Sequence, residues 1–317
     1  MNFAYSDVLL SIVPVFGLVA IGVAFRGLKW ITPEADGSIM RLVLNCLYPC
    51  LIFENVLNND ALRDPSNLIA APLSGFVIMA ASIVATHAIG RSLGLTQGRG
   101  LRTFAFAGGI NNYGYFALAV CAALFGQNSP AIGLTLVHGA GGEAAIWTIG
   151  IFVLAGLPLR ESWKKLLNGP VIALALGLLL NLTDLRARLP VFLLETIHRC
   201  GVCGLTIGII LTGCTLCEYI TKPGTLFDKR VTTLAGFLRL GIYPVIFLLV
   251  AKYLPFTDDL KRVLIVQAAM PAGMFPIAVA RHYNGHPVTA AQITIGTTLI
   301  GILTIPLWIK FGMAWIF

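Results

Sequence analysis

An apolar run from about Thr103 to Phe125 is long enough to cross a lipid bilayer. At its middle, however, stands Gly108-Gly109-Ile110-Asn111-Asn112-Tyr113-Gly114-Tyr115. Hydrocarbon supplies no hydrogen-bond partners, so adjacent side-chain amides at that depth need partners from the protein or from a ligand. A second apolar run is interrupted at Met270-Pro271-Ala272-Gly273-Met274-Phe275-Pro276. Proline cannot close a helical hydrogen-bond ladder, and glycine weakens one. Broken membrane helices at corresponding places in two halves of a chain are the pattern of a carrier with a site near the midplane.

Composition sets the fold class. The chain has 317 residues, of which 57% are hydrophobic and 11% charged, with a mean hydropathy of +0.85. A soluble globular chain carries about 25% charged residues. Apolar runs recur along the whole length, so the expectation is an all-α polytopic membrane protein. The net charge of +8 reads as basic residues at helix ends that fix membrane orientation, not as a nucleic-acid surface. Val8–Phe25, followed by Arg26 and Lys29, reads as a first membrane helix and not as a cleaved signal.

Ten spans are expected, at roughly 7–25, 38–57, 68–92, 103–126, 130–156, 167–183, 191–218, 231–254, 260–282 and 288–314. They divide into a first five-helix repeat over 1–156, a short cytoplasmic connector over 157–166 and a second repeat over 167–317. An odd number of spans per half inverts the second half relative to the first. Pro14 to Gly22 in span 1 is similar to Pro170 to Gly177 in span 6, and that offset of 156 carries Asn112 to 268, beside the Pro271 break. The broken helices are thus the fourth of each half. With both termini outside, 13 Lys and Arg fall on the cytoplasmic side and 8 on the other, Arg239 lying within a span. The chain is therefore placed in the cell inner (plasma) membrane, with both termini outside the cytoplasm.

The breaks carry the candidate chemistry. Interrupted helices free backbone amides, and half-helix N-termini favour an anion, a carboxylate in particular. Asn111, Asn112, Tyr113, Gly114 and Tyr115 form one candidate wall; Gln267, Pro271, Gly273 and Pro276 form the opposing one; Asn45, near Pro49 in span 2, belongs to a third. Glu143, with His138 on the same helix, is a candidate proton relay, a neutral Glu143 being the alternative. Arg239 either pairs with an anion or snorkels toward an interface. Cys200-x2-Cys203 and Cys214-x2-Cys217 have zinc-like spacing. At about 1.5 Å per residue the two pairs stand about 15 Å or more apart on a helix, so no metal is expected and the cysteines read as small packing residues. Asn181-Leu182-Thr183 fits a glycosylation triplet that abuts a helix.

These residues also carry a resemblance. The stretch Ala280-Arg281-His282-Tyr283-Asn284-Gly285, the helix Thr297 to Leu307 with Pro306, Asn112-Tyr113-Gly114-Tyr115-Phe116, and Asn45 through Pro49 together resemble the auxin efflux carrier family. That family includes plant PIN-type auxin exporters and bacterial malate or malonate permease-like proteins. The resemblance implies a ten-helix inverted-repeat carrier with its site at the crossing of spans 4 and 9, where Asn112 contacts the substrate and Pro271 stands at the opposing break. Span 9 lacks a polar residue after its first proline, unlike many members. The expectation is a secondary or facilitative transporter of a small organic anion, working by alternating access and without a cofactor. Its partners would be that anion, the lipid bilayer and at most a second copy in a homodimer. A sodium-coupled bile-acid-type symporter with oxygen ligands from Asn111, Asn112, Thr294 and Gln267 is the alternative within transport. A receptor or interaction protein is the alternative outside it. An enzyme is not expected, because the only His-x-x-x-His spacing, His282 to His286, runs through Asn284-Gly285 and ends at Pro287.

Overall fold

The computed structural model describes residues 4–96, 100–156, 168–220 and 229–317, and the regular elements among these residues are all helices. The helices are α1 (Tyr5–Gly27), α2 (Pro33–Leu57), α3 (Pro65–Ser92), α4 (Leu101–Gly109), α5 (Tyr115–Phe125) and α6 (Pro130–Ala155). After the connector come α7 (Gly169–Leu182), α8 (Val191–Ile220), α9 (Arg230–Tyr253), α10 (Asp258–Ala269), α11 (Phe275–His282) and α12 (Pro287–Ile316). Seven of them, α1, α2, α3, α6, α8, α9 and α12, are long and apolar enough to cross a membrane. Large apolar side chains such as Leu10, Ile69, Val202, Phe237 and Leu303 project outward from these helices. A surface so apolar belongs against lipid.

The spans expected at 103–126 and 260–282 are each a pair of short helices, α4 with α5 and α10 with α11. The connector expected over 157–166 lies outside the described residues.

Local chemistry sets the helix ends. Proline stands first in α2, α3, α6 and α12, where its missing N–H costs nothing. Asp64, Ser129 and Asn168 accept from the backbone N–H groups of Ser66, Ala131 and Val171 and so cap α3, α6 and α7. Inside α9, Pro244 cannot donate to the carbonyl of Leu240, and a π-helical turn, Leu238–Ile242, precedes it. The indole of Trp308 on α12 donates to that freed carbonyl at 2.7 Å. The same pairing of a π turn with a proline occurs in α2, at Val43–Leu47 and Pro49.

Glycines set how closely the helices approach. A Cβ at Gly22 would lie 2.0 Å from the Ile210 carbonyl oxygen, and one at Gly213 2.0 Å from that of Val19, so α1 and α8 touch backbone to backbone. Between α3 and α6, Gly75 faces the His138 carbonyl and Gly141 that of Pro72 in the same way. Between apolar helices, such close van der Waals packing replaces the hydrophobic effect as the source of adhesion. Helices α1, α2, α7 and α8 pack as one group, while α3, α4, α6, α9, α10 and α12 pack as another. Asn181 is buried where α7 meets α2, its amide donating to the carbonyls of Val56 and Asn59 at 2.8 and 2.9 Å. This is a packing role and leaves no room for a glycan.

At one end of the first group Arg26 is buried between Asp36 and Glu218, 2.9 Å from the latter, tying α1, α2 and α8 together. Arg239 in α9 is fully buried (0% exposed), so it does not snorkel. It meets no carboxylate among the described residues and lies 5.4 and 5.5 Å from the ring centres of Tyr243 and Phe247.

The expected consequence of the α1–α8 contact is that Gly213→Val lowers stability by about 2 kcal/mol or more through overpacking. Gly17→Val, where a Cβ meets nothing within 4 Å, should leave it unchanged. Thermal unfolding of the protein in lipid nanodiscs measures both.

Candidate functional site

The two interruptions meet. Ile110–Gly114 and Met270–Met274 run antiparallel past one another, with Asn111 opposite Ala272. The Asn112 N–H donates to the Pro271 carbonyl at 2.8 Å, and the Gly273 N–H donates to the Ile110 carbonyl at 2.9 Å. Side chains close the remaining gaps. Thr297 on α12 accepts from the Ala272 N–H at 3.0 Å, and the Thr294 hydroxyl donates to the Gly273 carbonyl at 2.8 Å. Backbone groups that proline and glycine released from the helices thereby find partners within the protein.

The two adjacent asparagines divide the work. Asn111 is buried, and its amide donates to the Gln267 side-chain oxygen at 2.7 Å, while the Gln267 amide donates to the Tyr113 carbonyl at 3.2 Å. The pair locks one break to the other. The Asn112 side chain lines a cavity of about 580 Å³ and makes no hydrogen bond to the described residues.

That cavity lies between the two helix groups. One wall comes from α2, α7 and α8, with Arg41, Asn45, Tyr48, Thr212 and Thr215; the other comes from the crossing segments, α6 and α11. Helices α5 and α11 both begin at it, and neither first turn is capped by a side chain. Their N-terminal amides and positive dipole ends thus face the cavity. Tyr115 is stacked at a tilt on Tyr48, ring centres 4.8 Å apart, and its hydroxyl is buried without a partner. Gly208 makes room for the Tyr115 ring: a Cβ there would lie 2.7 Å from it. Trp147 and Phe275 meet edge to face at 5.6 Å on the opposite side. Glu143 is the acidic residue of the lining.

Of the residues picked from sequence, Asn45, Asn111, Asn112, Tyr113, Gly114, Tyr115, Glu143 and Gly273 line the cavity. Gln267, Pro271 and Pro276 do not; Gln267 and Pro271 act through the crossing and Pro276 begins α11. His138 is not brought to Glu143. It is buried against α3 with Nδ1 3.1 Å from the Ser74 hydroxyl, because five positions on a helix turn the two side chains apart. Glu54, near the end of α2, lies 2.6 Å from His198 on α8. Sequence reasoning missed Arg41, Tyr48, Trp147, Asn168, Thr212 and Thr215. Tyr48 follows Asn45 by three positions, a helical spacing that pointed to the same face. The others carry no local signal.

Comparison with known proteins then decides the family. A family model described as membrane transport protein matches residues 7–162 and 158–309. The chain belongs to this family, the auxin efflux carrier family of membrane transporters. An uncharacterized transporter of Methanothermobacter thermautotrophicus is 23% identical to this membrane transport protein over 94% of the chain and 96% of its own length. Auxin efflux carrier components 3 and 7 of Arabidopsis thaliana are each 28% identical over 51% of the chain. That match spans about a quarter of their length (26%). This membrane transport protein is thus a multi-pass membrane protein.

The Asn111–Gln267 bridge makes a stability prediction. Gln267→Leu removes the 2.7 Å bond from the buried Asn111 amide, leaving it only the Gln267 backbone carbonyl at 3.3 Å, and should cost about 1–3 kcal/mol. Adding Asn111→Leu should return only part of that loss, since the Asn111 amide is then gone while the Tyr113 carbonyl still lacks the Gln267 donor. Unfolding midpoints of the two single variants and the double variant read out the coupling.

Proposed function

We propose that the protein is a secondary or facilitative carrier for an organic anion bearing a carboxylate. The observation that carries this reading is one cavity, between two helix groups, at which two uncapped helix N-termini, the free Asn112 amide and the unpartnered Tyr115 hydroxyl converge. Donors and positive dipole ends without an acceptor suit a carboxylate. The plant relatives are named auxin efflux carriers, which agrees with an anionic cargo. On this reading the chain is a ten-span inverted repeat whose broken fourth and ninth spans are α4–α5 and α10–α11. The group of α1, α2, α7 and α8 stays fixed while the other group carries the site across. The cavity extends toward Arg41, Asn168 and Thr215, the side on which α7 begins. With both termini outside the cytoplasm, this is the cytoplasmic side. Arg281 on α11 donates to the Tyr219 hydroxyl on α8 at 2.8 Å, a contact between the groups that must break when they move.

Glu143 supplies a coupling device. An ionised Glu143 in the same cavity as a carboxylate substrate repels it, so the anion enters with Glu143 protonated, and the pair moves as proton plus anion. The sodium-coupled alternative is less well supported, because Gln267 and Thr294, two of its four candidate ligands, do not line the cavity, and the Gln267 side-chain oxygen already accepts from Asn111.

Two outcomes are expected from uptake of labelled carboxylates into proteoliposomes. Asn112→Ala should abolish saturable uptake while the protein still inserts and unfolds normally. Normal transport by that variant would reject the site. In wild type, uptake should rise with an inward proton gradient, and Glu143→Gln should remove that dependence. If wild-type uptake ignores the gradient, Glu143 has no part in coupling.

A further inference from the structure

We infer that Cys46, Cys50 and Cys200 form a three-thiol site for a trivalent metalloid, arsenic(III) or antimony(III). The zinc-like spacings in α8 do not come together; a different set does. The three Sγ atoms of Cys46, Cys50 and Cys200 lie within 4.8 Å of one another, two on α2 and one on α8. Cys46 belongs to the π turn of α2 and Cys50 follows Pro49, so four positions put both on one face. Cys200 reaches them because its neighbour Gly201 lets α8 approach Leu51 and Cys50 closely: a Cβ there would lie 3.0 Å from the Leu51 Cα and 3.5 Å from the Cys50 carbonyl carbon. Cys203, one turn further along α8, is not a member. All of these thiols are free.

Coordination number and charge select the ion. A closed structural zinc site takes four ligands, and three are present here. With bonds of the length of a zinc–thiolate bond, about 2.3 Å, and the pyramidal angles of a trivalent centre with a lone pair, the sulfurs stand about 3.4 Å apart, so the thiols close in from the spacing found by side-chain rotation. Three thiolates around copper(I) leave a net charge of −2, and around a divalent ion −1. Around arsenic(III) they leave none. Cys46 is exposed, and Cys50 stands seven residues, about 10 Å at about 1.5 Å per residue, along α2 from Leu57, in a helix long and apolar enough to cross a membrane. The nearby cations are already engaged, Arg199 with Glu195 at 2.7 Å and His198 with Glu54 at 2.6 Å. A net charge facing hydrocarbon with no counter-ion is costly, so the neutral complex is favoured. Binding from arsenous acid is a ligand exchange: three As–O and three S–H bonds break, three As–S bonds form, and three waters leave. No electron is transferred.

The test is titration of the reduced protein in lipid nanodiscs with arsenite, followed by desalting, arsenic quantification and maleimide labelling of the denatured chain. The result expected is one arsenic per chain with three of the seven cysteines blocked, mapping to Cys46, Cys50 and Cys200. Cys46→Ser, Cys50→Ser and Cys200→Ser should each weaken retention at least tenfold, with unfolding midpoints unchanged, and Cys203→Ser should have no effect. No retained arsenic, or equal retention by Cys200→Ser, overturns the site. Stoichiometric copper(I) retention by protein that ignores arsenite overturns the charge argument and with it the assignment.

Discussion

Two backbone hydrogen bonds at the centre of the molecule, Asn112 to Pro271 and Ile110 to Gly273, hold together what would otherwise be unusable membrane helices. Each break alone would leave polar backbone in hydrocarbon, at several kcal/mol for each unsatisfied group. Crossed, the breaks serve as each other's partner, with Thr294 and Thr297 completing the set. The cavity follows from that geometry. Two half-helices must begin where the crossing segments end, and their first turns open on the space between the helix groups.

The same economy runs through the rest of the fold. Pro244 frees a carbonyl that Trp308 fills. Asn181 satisfies the end of α2 from α7. Arg239, which meets no acid among the described residues and whose guanidinium nitrogens have no hydrogen-bond partner there, lies over aromatic faces. Small residues replace the hydrophobic effect at the α1–α8 and α3–α6 contacts, where a single methyl group would meet a carbonyl oxygen. The protein is thus held by close backbone contact and by polar groups with assigned partners, which leaves the few without partners conspicuous. Among those in the cavity are the Asn112 amide and the Tyr115 hydroxyl.

Legibility in the sequence followed the range of the interaction. The breaks were readable, because glycine and proline act on their own backbone. Asn45 and Tyr48 shared a face by helical spacing. The division of labour between Asn111 and Asn112 was not readable, since it depends on Gln267 arriving from a helix far along the chain. His138 and Glu143 share a helix but not a neighbourhood: one faces Ser74 and the other faces the cavity. Cysteine spacing along α8 suggested two pairs, and packing chose Cys46, Cys50 and Cys200 instead, since thiols meet across helices as readily as along one.

The sequence by itself determined that the chain lives in a bilayer, that its helices run at the apolar runs, and that two of them are broken at glycine–asparagine and proline clusters. These are consequences of solvent and of local backbone chemistry, which need no knowledge of neighbours. Only the tertiary structure decided that the breaks cross, which amide is spent on the crossing and which is free, and which side chains wall the cavity. Those outcomes depend on approach between helices distant in sequence, set by glycine contacts and buried hydrogen bonds that no local pattern specifies.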